Sequence, residues 1–141
     1  MRGLHVVGLL CGALLFSPAV AEDAAPTAFV CSFDKGTSWS FEKGAFKSDP
    51  PTPLSFEIAD INLEKQTANL VNESKTTGAL KVVRALNANS FLEVANEGFL
   101  NLTTVYDRDS TSGTYPAVHS RHFGILGQPI FAQYAGSCTA K

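Results

Sequence analysis

Charged residues are few in this sequence, and they form no cluster. Asp, Glu, Lys and Arg make up 17% of the 141 residues, with 11 basic against 13 acidic side chains, whereas about 25% is usual in globular domains. Side chains of both signs are scattered along the chain without runs of one sign. Binding to nucleic acid or to an anionic membrane surface needs a concentrated basic patch, so the composition argues against both partners.

Long apolar runs are also missing after the first residues. The run from Leu4 to Phe16 is shorter than the roughly 20 residues of a transmembrane helix, and it lies between Arg2 and the small residues of Ala19–Ala21. This order is typical of a secretory signal peptide and predicts cleavage after Ala21. We therefore expect a periplasmic or secreted protein without a transmembrane segment. Its expected parts are a signal peptide (1–21), a flexible leader (22–27) and a single domain (28–141).

Cysteine is scarce as well. Cys11 lies in the predicted signal peptide, which leaves Cys31 and Cys138 near the two ends of the mature chain. A single pair of cysteines in an exported protein predicts a disulfide. These cysteines together with His119 and His122 could supply four metal ligands, but their spacing matches no zinc-ligand pattern. We therefore predict a Cys31–Cys138 disulfide, no metal site and no cofactor.

Helical periodicity is nearly absent, and strand periodicity is present throughout the mature chain. In "AFVCSF" the large side chains alternate, as they do in "SWSFE" and "LSFEI". A change of phase near Ala59 and Asp60 predicts a β-bulge, and the prolines of "DPPTP" predict a loop. The turns are too short for crossover helices, so neighbouring strands are antiparallel.

These strands predict an all-β fold, a small antiparallel meander of about eight strands that closes into a lipocalin-like barrel. The first and last strands of a closed meander are neighbours, so Cys31 and Cys138 would meet where the barrel closes. The aromatic side chains are expected to fill the barrel; the alternative is that some line a pocket for an apolar ligand. They are Phe29, Phe33, Trp39, Phe41, Phe56, Phe91, Phe99, Phe123, Phe131 and Tyr134.

The stretch "YPAVHSRHFG" carries the strongest concentration of candidate site residues. On a strand, His119 and Arg121 share one face, whereas Ser120 and His122 share the other. The two histidines therefore point apart, which argues against a metal site on this strand. Ser120 and His122 could form a nucleophile and its base, but no nucleophile-elbow motif surrounds them. We therefore predict His119, Arg121 and His122 as binding residues.

Arg121 carries a planar guanidinium that suits the bidentate capture of a carboxylate. If it faces the interior, it must be paired, because an isolated buried charge is very costly. The possible partners on other strands are Glu57, Asp60 and Glu93. A structural ion pair with one of them is the expectation, with a ligand clamp as the alternative.

The C-terminal pattern "LTTVY…YPAVHSRH…QYAGSC" resembles that of small exported proteins of alphaproteobacteria. This resemblance covers most of the mature chain, is sharpest over residues 102–138, and implies export and a small domain. A weaker, architectural likeness is to periplasmic inhibitors of C-type lysozyme, which are small antiparallel β-barrels with a cysteine near each end. No inhibitory residue of that family is carried over to this chain.

Together these observations predict an exported, non-enzymatic binding or inhibitor-like module that acts on a protein or cell-envelope component through its loops and the His119–Arg121 face. The alternative is a lipocalin-like carrier of a small apolar ligand. A hydrolase or metal-binding protein that uses the "HSRH" strand ranks last. A barrel filled by its own side chains would argue against the carrier.

Overall fold

The computed structural model describes residues 25–96, 99–125 and 127–141, so the predicted signal peptide lies outside the described residues. Every regular element of the described part is a β-strand. The strands are β1 (Phe29–Glu42), β2 (Ala45–Asp49), β3 (Leu54–Asn62), β4 (Thr67–Asn72), β5 (Lys75–Arg84), β6 (Ala88–Asn96), β7 (Phe99–Tyr106), β8 (Tyr115–Ile125) and β9 (Gln128–Ala140).

Eight of these strands close into an antiparallel barrel. From β3 to β9 each strand pairs with the next in the chain, and β1 pairs with both β3 and β9 to complete the ring. The remaining strand, β2, pairs with the second half of β1, along the edge that β3 occupies in the first half. The predicted all-β meander closing into a barrel is confirmed, with β2 as one extra strand.

The disulfide lies where the barrel closes. Cys31 of β1 and Cys138 of β9 are direct cross-strand partners, and their sulfur atoms are bonded. Both side chains are fully buried. The predicted Cys31–Cys138 bond is therefore present and joins the first and last strands. Such a bond is typical of proteins in oxidising compartments.

Side chains fill one end of the barrel. The buried residues of this end include Phe29, Ile58, Val82 and Val105, and they belong to one continuous apolar cluster. The chain that leads into β1 is attached here as well, because the Ile61 amide donates a hydrogen bond of 2.9 Å to the carbonyl of Thr27. We call this the closed end. The opposite end, where Arg121 of β8 lies, is called the open end.

Register shifts occur at four places in the described strand pairs, and those in β3 and β1 affect which side chains face the interior. The predicted bulge in β3 is confirmed, since the pairing with β4 shifts between Ala59 and Asn62 and Asp60 has a φ of 52°. A second bulge lies at Asp34 in β1, where the pairing with β9 shifts. Gly136 lies opposite, and a Cβ atom there would overlap the Ser32 carbonyl oxygen, so this close approach requires glycine.

The Asp34 bulge moves several aromatic residues to the outside. Before it, Phe29 and Phe33 point inward; after it, one residue out of phase, Trp39 and Phe41 point outward. Phe131, opposite Trp39 on β9, also faces outward. The expectation that all ten aromatic side chains fill the barrel is therefore wrong for these three. Gly36, two residues further on in β1, is the sign of this bulge in the sequence.

Candidate functional site

A cavity of about 380 Å³ occupies the open end of the barrel. Its position follows from the alternation of the strands, because the inward side chains of β3 to β8 converge there. Most of its wall is apolar, and five polar or charged side chains share one side of it. The apolar residues are Leu54, Phe56, Leu70, Leu80, Phe91 and Phe99, and the others are Glu93, Asn101, Thr103, His119 and Arg121.

The polar side chains lie in two rows across the sheet. In the deeper row, Thr103 of β7 is the partner of both Phe91 and His119. In the row nearer the opening, Asn101 is the partner of both Glu93 and Arg121. Since adjacent strands are about 4.8 Å apart, each row brings three side chains from β6, β7 and β8 to the same depth of the cavity.

His119 lies at the floor of the cavity and is 5% exposed. Its Nδ1 atom shares a hydrogen bond of 2.8 Å with the Thr103 hydroxyl. The rings of Phe33, Phe56 and Tyr134 surround the imidazole, with centroids 5.2–5.8 Å from it. Burial, and to a lesser extent the positive charge of Arg121, lowers the pKa of His119 to about 4. The ring is therefore neutral at pH 7, and Nε2 is the nitrogen left for a ligand.

Arg121 lies between this cavity and a second one of about 430 Å³ under the loop of Pro50, Pro51 and Pro53. The expectation of a structural ion pair is not met. Within the described residues, ion pairs form between Lys47 and Glu42 and between Lys141 and Glu57, and neither includes Arg121. The guanidinium carbon instead lies 5.8 Å from the centre of the Phe123 ring.

The three acidic residues considered as partners of Arg121 are engaged elsewhere. Glu57 binds Lys141 at 2.8 Å, and Asp60 accepts a hydrogen bond of 2.9 Å from Asn69. Glu93 accepts a hydrogen bond of 2.8 Å from the amide nitrogen of Asn101, which lies between it and Arg121. Glu93 is two strands from Arg121, and the side-chain amide of Asn101 between them binds the Glu93 carboxylate.

Ser120 and His122 lie on the outer surface. The Ser120 hydroxyl donates a hydrogen bond of 2.7 Å to the side-chain oxygen of Gln133, and the His122 ring stacks on Phe131 with centroids 6.3 Å apart. Of the three predicted binding residues, the structure brings His119 and Arg121 together and places His122 on the opposite face of the sheet, as the alternation in the sequence predicted.

Sequence reasoning did not identify three polar residues of the cavity as site residues, namely Glu93, Asn101 and Thr103. The alternation in "FLNLTT" places Asn101 and Thr103 on one face, and Glu93 shares a face with Phe91 in "SFLEV". Those patterns show that the side chains can be neighbours. Only the register of β6, β7 and β8 shows that they lie beside His119 and Arg121 in the same cavity.

The outer surface carries an aromatic cluster, which consists of Trp39, Phe41, Phe46 and Phe131. Phe46 of β2 packs on Phe41 and Phe131, with centroid distances of 5.0 and 5.7 Å, and Trp39 stacks on Phe131 at 4.8 Å. Phe46 is 54% exposed. This outer aromatic cluster is thus an apolar surface on the far side of the sheet from the cavity.

The described part of the chain contains no group of three or more His, Cys, Asp or Glu side chains that could hold a metal ion. None of its elements is a helix of the length and apolar character needed to cross a membrane. No protein-family model matches the chain, and no curated protein matches its sequence.

Proposed function

We propose that this is an exported, non-enzymatic binding protein that holds a small, mainly apolar ligand in the cavity at the open end of its barrel. The observation that carries the proposal is the cavity itself, which is about 380 Å³ in volume and has a largely apolar wall. Small-molecule sites have this character, with an apolar lining and a few polar groups that orient the ligand. The apolar cluster at the closed end gives the pocket a floor.

The volume limits the size of the ligand. Small-molecule pockets usually measure about 300–1,000 Å³, so a cavity of about 380 Å³ lies at the lower end of the range. At roughly 30 Å³ for each water-sized group, it accommodates on the order of a dozen non-hydrogen atoms. A medium-length alkyl chain or one aromatic ring with a short substituent fits this estimate.

The orientation of β8 favours a ligand site over a protein-binding face. His119 and Arg121 line the cavity, so they are directed to what enters the barrel rather than to a partner on its outer surface. The disulfide and the signal-like first residues support an exported protein.

The chemistry of the cavity supports binding rather than catalysis. A pKa of about 4 makes His119 a weak base at neutral pH. Ser120, the adjacent hydroxyl on the same strand, points to the other side of the sheet and is bonded to Gln133. Within the described lining, Thr103 is the hydroxyl nearest to the imidazole, and their hydrogen bond is buried.

Filling the cavity should weaken ligand binding. We expect Leu70→Trp, which places a large ring in the apolar wall, to weaken the binding of octan-1-ol at least tenfold, measured by isothermal titration calorimetry. The matched control is Leu102→Trp, because Leu102 faces outward from β7. Equal affinities of both variants and the unsubstituted protein would count against the cavity as the site. Native mass spectrometry of protein purified without refolding should, in addition, reveal a small co-purified ligand.

The outer aromatic cluster favours a second candidate function, an interaction with a protein or cell-envelope component. Phe46 is the most exposed member of the cluster, and it lies on β2, the strand outside the closed ring. We expect Phe46→Ser to leave the affinity for octan-1-ol unchanged. If the same substitution abolishes cross-linking to a partner in the producing cell while Leu70→Trp does not, the interaction is the primary function.

A further inference from the structure

We propose that the ligand of the cavity is a monocarboxylate, whose carboxylate is bound by Arg121 and whose apolar chain lies along the wall of the barrel. This inference rests on the proposed function and names its ligand class. It starts from Arg121, which forms no ion pair in the described structure and lies at the boundary between two cavities.

The position of Arg121 selects an anionic group. Its side chain is partly buried, lines both cavities and has an aromatic ring on one side. Burying a cation is costly unless it is paired, and Glu93, the acidic residue that lines the same cavity, is hydrogen-bonded to Asn101. The guanidinium fork matches the two oxygens of a carboxylate. A ligand carboxylate therefore supplies the pairing that the strands do not.

The deeper row supplies a second polar contact. Thr103 binds Nδ1 of His119, which leaves Nε2 for the contents of the cavity. In the tautomer in which the Thr103 hydroxyl donates to Nδ1, the Nε2–H group is a donor. His119 and Arg121 are two residues apart on one face of β8, so both donors can reach one carboxylate. The rest of the ligand then meets the apolar wall of Leu54, Leu70 and Leu80.

Glu93 restricts the ligand to a single negative charge. Its carboxylate faces the same cavity and is held by Asn101 at 2.8 Å. Gly78 provides the space for it, because a Cβ atom at that position would lie 2.7 Å from the nearer Glu93 oxygen. A second acidic group on the ligand would approach this carboxylate in a pocket of low dielectric, where like charges repel strongly. Dicarboxylates are therefore disfavoured.

Three ligands with the same chain length test the inference: octanoate, octan-1-ol and octanedioate. By calorimetry at pH 7, the unsubstituted protein is expected to bind octanoate about tenfold or more tightly than the other two, since a hydrogen-bonded charge pair is worth roughly a factor of ten to a hundred. Arg121→Gln should remove the preference for octanoate and retain the affinity for octan-1-ol, which also shows that the variant is folded. Arg121→Lys should keep part of the preference.

Two further variants sharpen the result. Arg84→Gln removes an exposed arginine that does not line the cavity, so it should leave all three affinities unchanged. Glu93→Gln should improve the binding of octanedioate more than that of octanoate. Equal binding of octanoate and octan-1-ol by the unsubstituted protein, or an octanoate affinity unaffected by Arg121→Gln, overturns the carboxylate site and leaves the cavity proposal standing. If neither octanoate nor octan-1-ol binds, the proposed function fails with it.

Discussion

Removal of the Cys31–Cys138 disulfide is expected to lower the free energy of unfolding by about 4–5 kcal/mol, because it releases a covalent loop of 107 residues in the unfolded chain. This is a large share of the roughly 5–15 kcal/mol by which a typical domain is stable. The double variant Cys31→Ala/Cys138→Ala tests it by guanidinium unfolding. Alanine is the suitable replacement because both positions are fully buried in apolar surroundings.

The consequence for the cavity is part of the same prediction. β9 connects the disulfide to the site, since it pairs with β1 at Cys138 and with His119 of β8 at Tyr134. Once the covalent link is lost, the pairing of β1 with β9 has to hold the ring closed by hydrogen bonds and packing alone. We expect octan-1-ol binding to decline in parallel with stability. Reduction of the unsubstituted protein should reproduce the variant, and a difference below about 1 kcal/mol would contradict the loop-entropy argument.

Acidification is expected to destabilise the barrel through His119. Its pKa is lowered from 6.5 to about 4 in the fold, so between these values the unfolded chain binds a proton that the folded chain does not. The free energy of unfolding keeps its full value above about pH 6.5 and falls as the pH decreases towards 4. Below the folded pKa the whole contribution of His119 is lost. A shift of this size corresponds to about 3 kcal/mol. Unfolding free energies measured at intervals from pH 7 to pH 4 report it.

The control for this titration is His119→Gln, which keeps a hydrogen-bonding side chain beside Thr103 but cannot bind the proton. We expect its stability to vary much less between pH 6.5 and 4.5. His122→Gln, altered on the outer surface, should retain the full pH dependence. Carboxylates such as Glu42 and Asp109, whose pKa values are lowered by hydrogen bonds, act at lower pH and lie outside this window. A pH profile unchanged by His119→Gln would show that the imidazole is not the group responsible.

The sequence predicted the fold closely because strand periodicity is a local property. Alternation alone placed His119 and Arg121 on one face and His122 on the other, and the short turns required antiparallel neighbours. The two cysteines then indicated which strands close the ring. These inferences need only neighbouring residues along the chain or the topology of a meander.

The errors have a common physical cause. Trp39 and Phe41 lie outside because one extra residue at Asp34 reverses the alternation of β1, and the nearby Gly36 does not show which residue is the extra one. The predicted ion pair of Arg121 failed because Asn101 lies between it and Glu93 in the cross-strand row. Strand register decides both, and register depends on the whole ring.

The sequence by itself determined that the chain forms an antiparallel barrel, that Cys31 and Cys138 lie where it closes, and that His119 and Arg121 share a face. Only the tertiary structure decided that this face looks into an unfilled cavity. The direction of each of these side chains depends on its own strand. A cavity, in contrast, is the volume left between strands that are distant in sequence. Its size and the charge within it follow from how eight strands meet, which no single segment encodes.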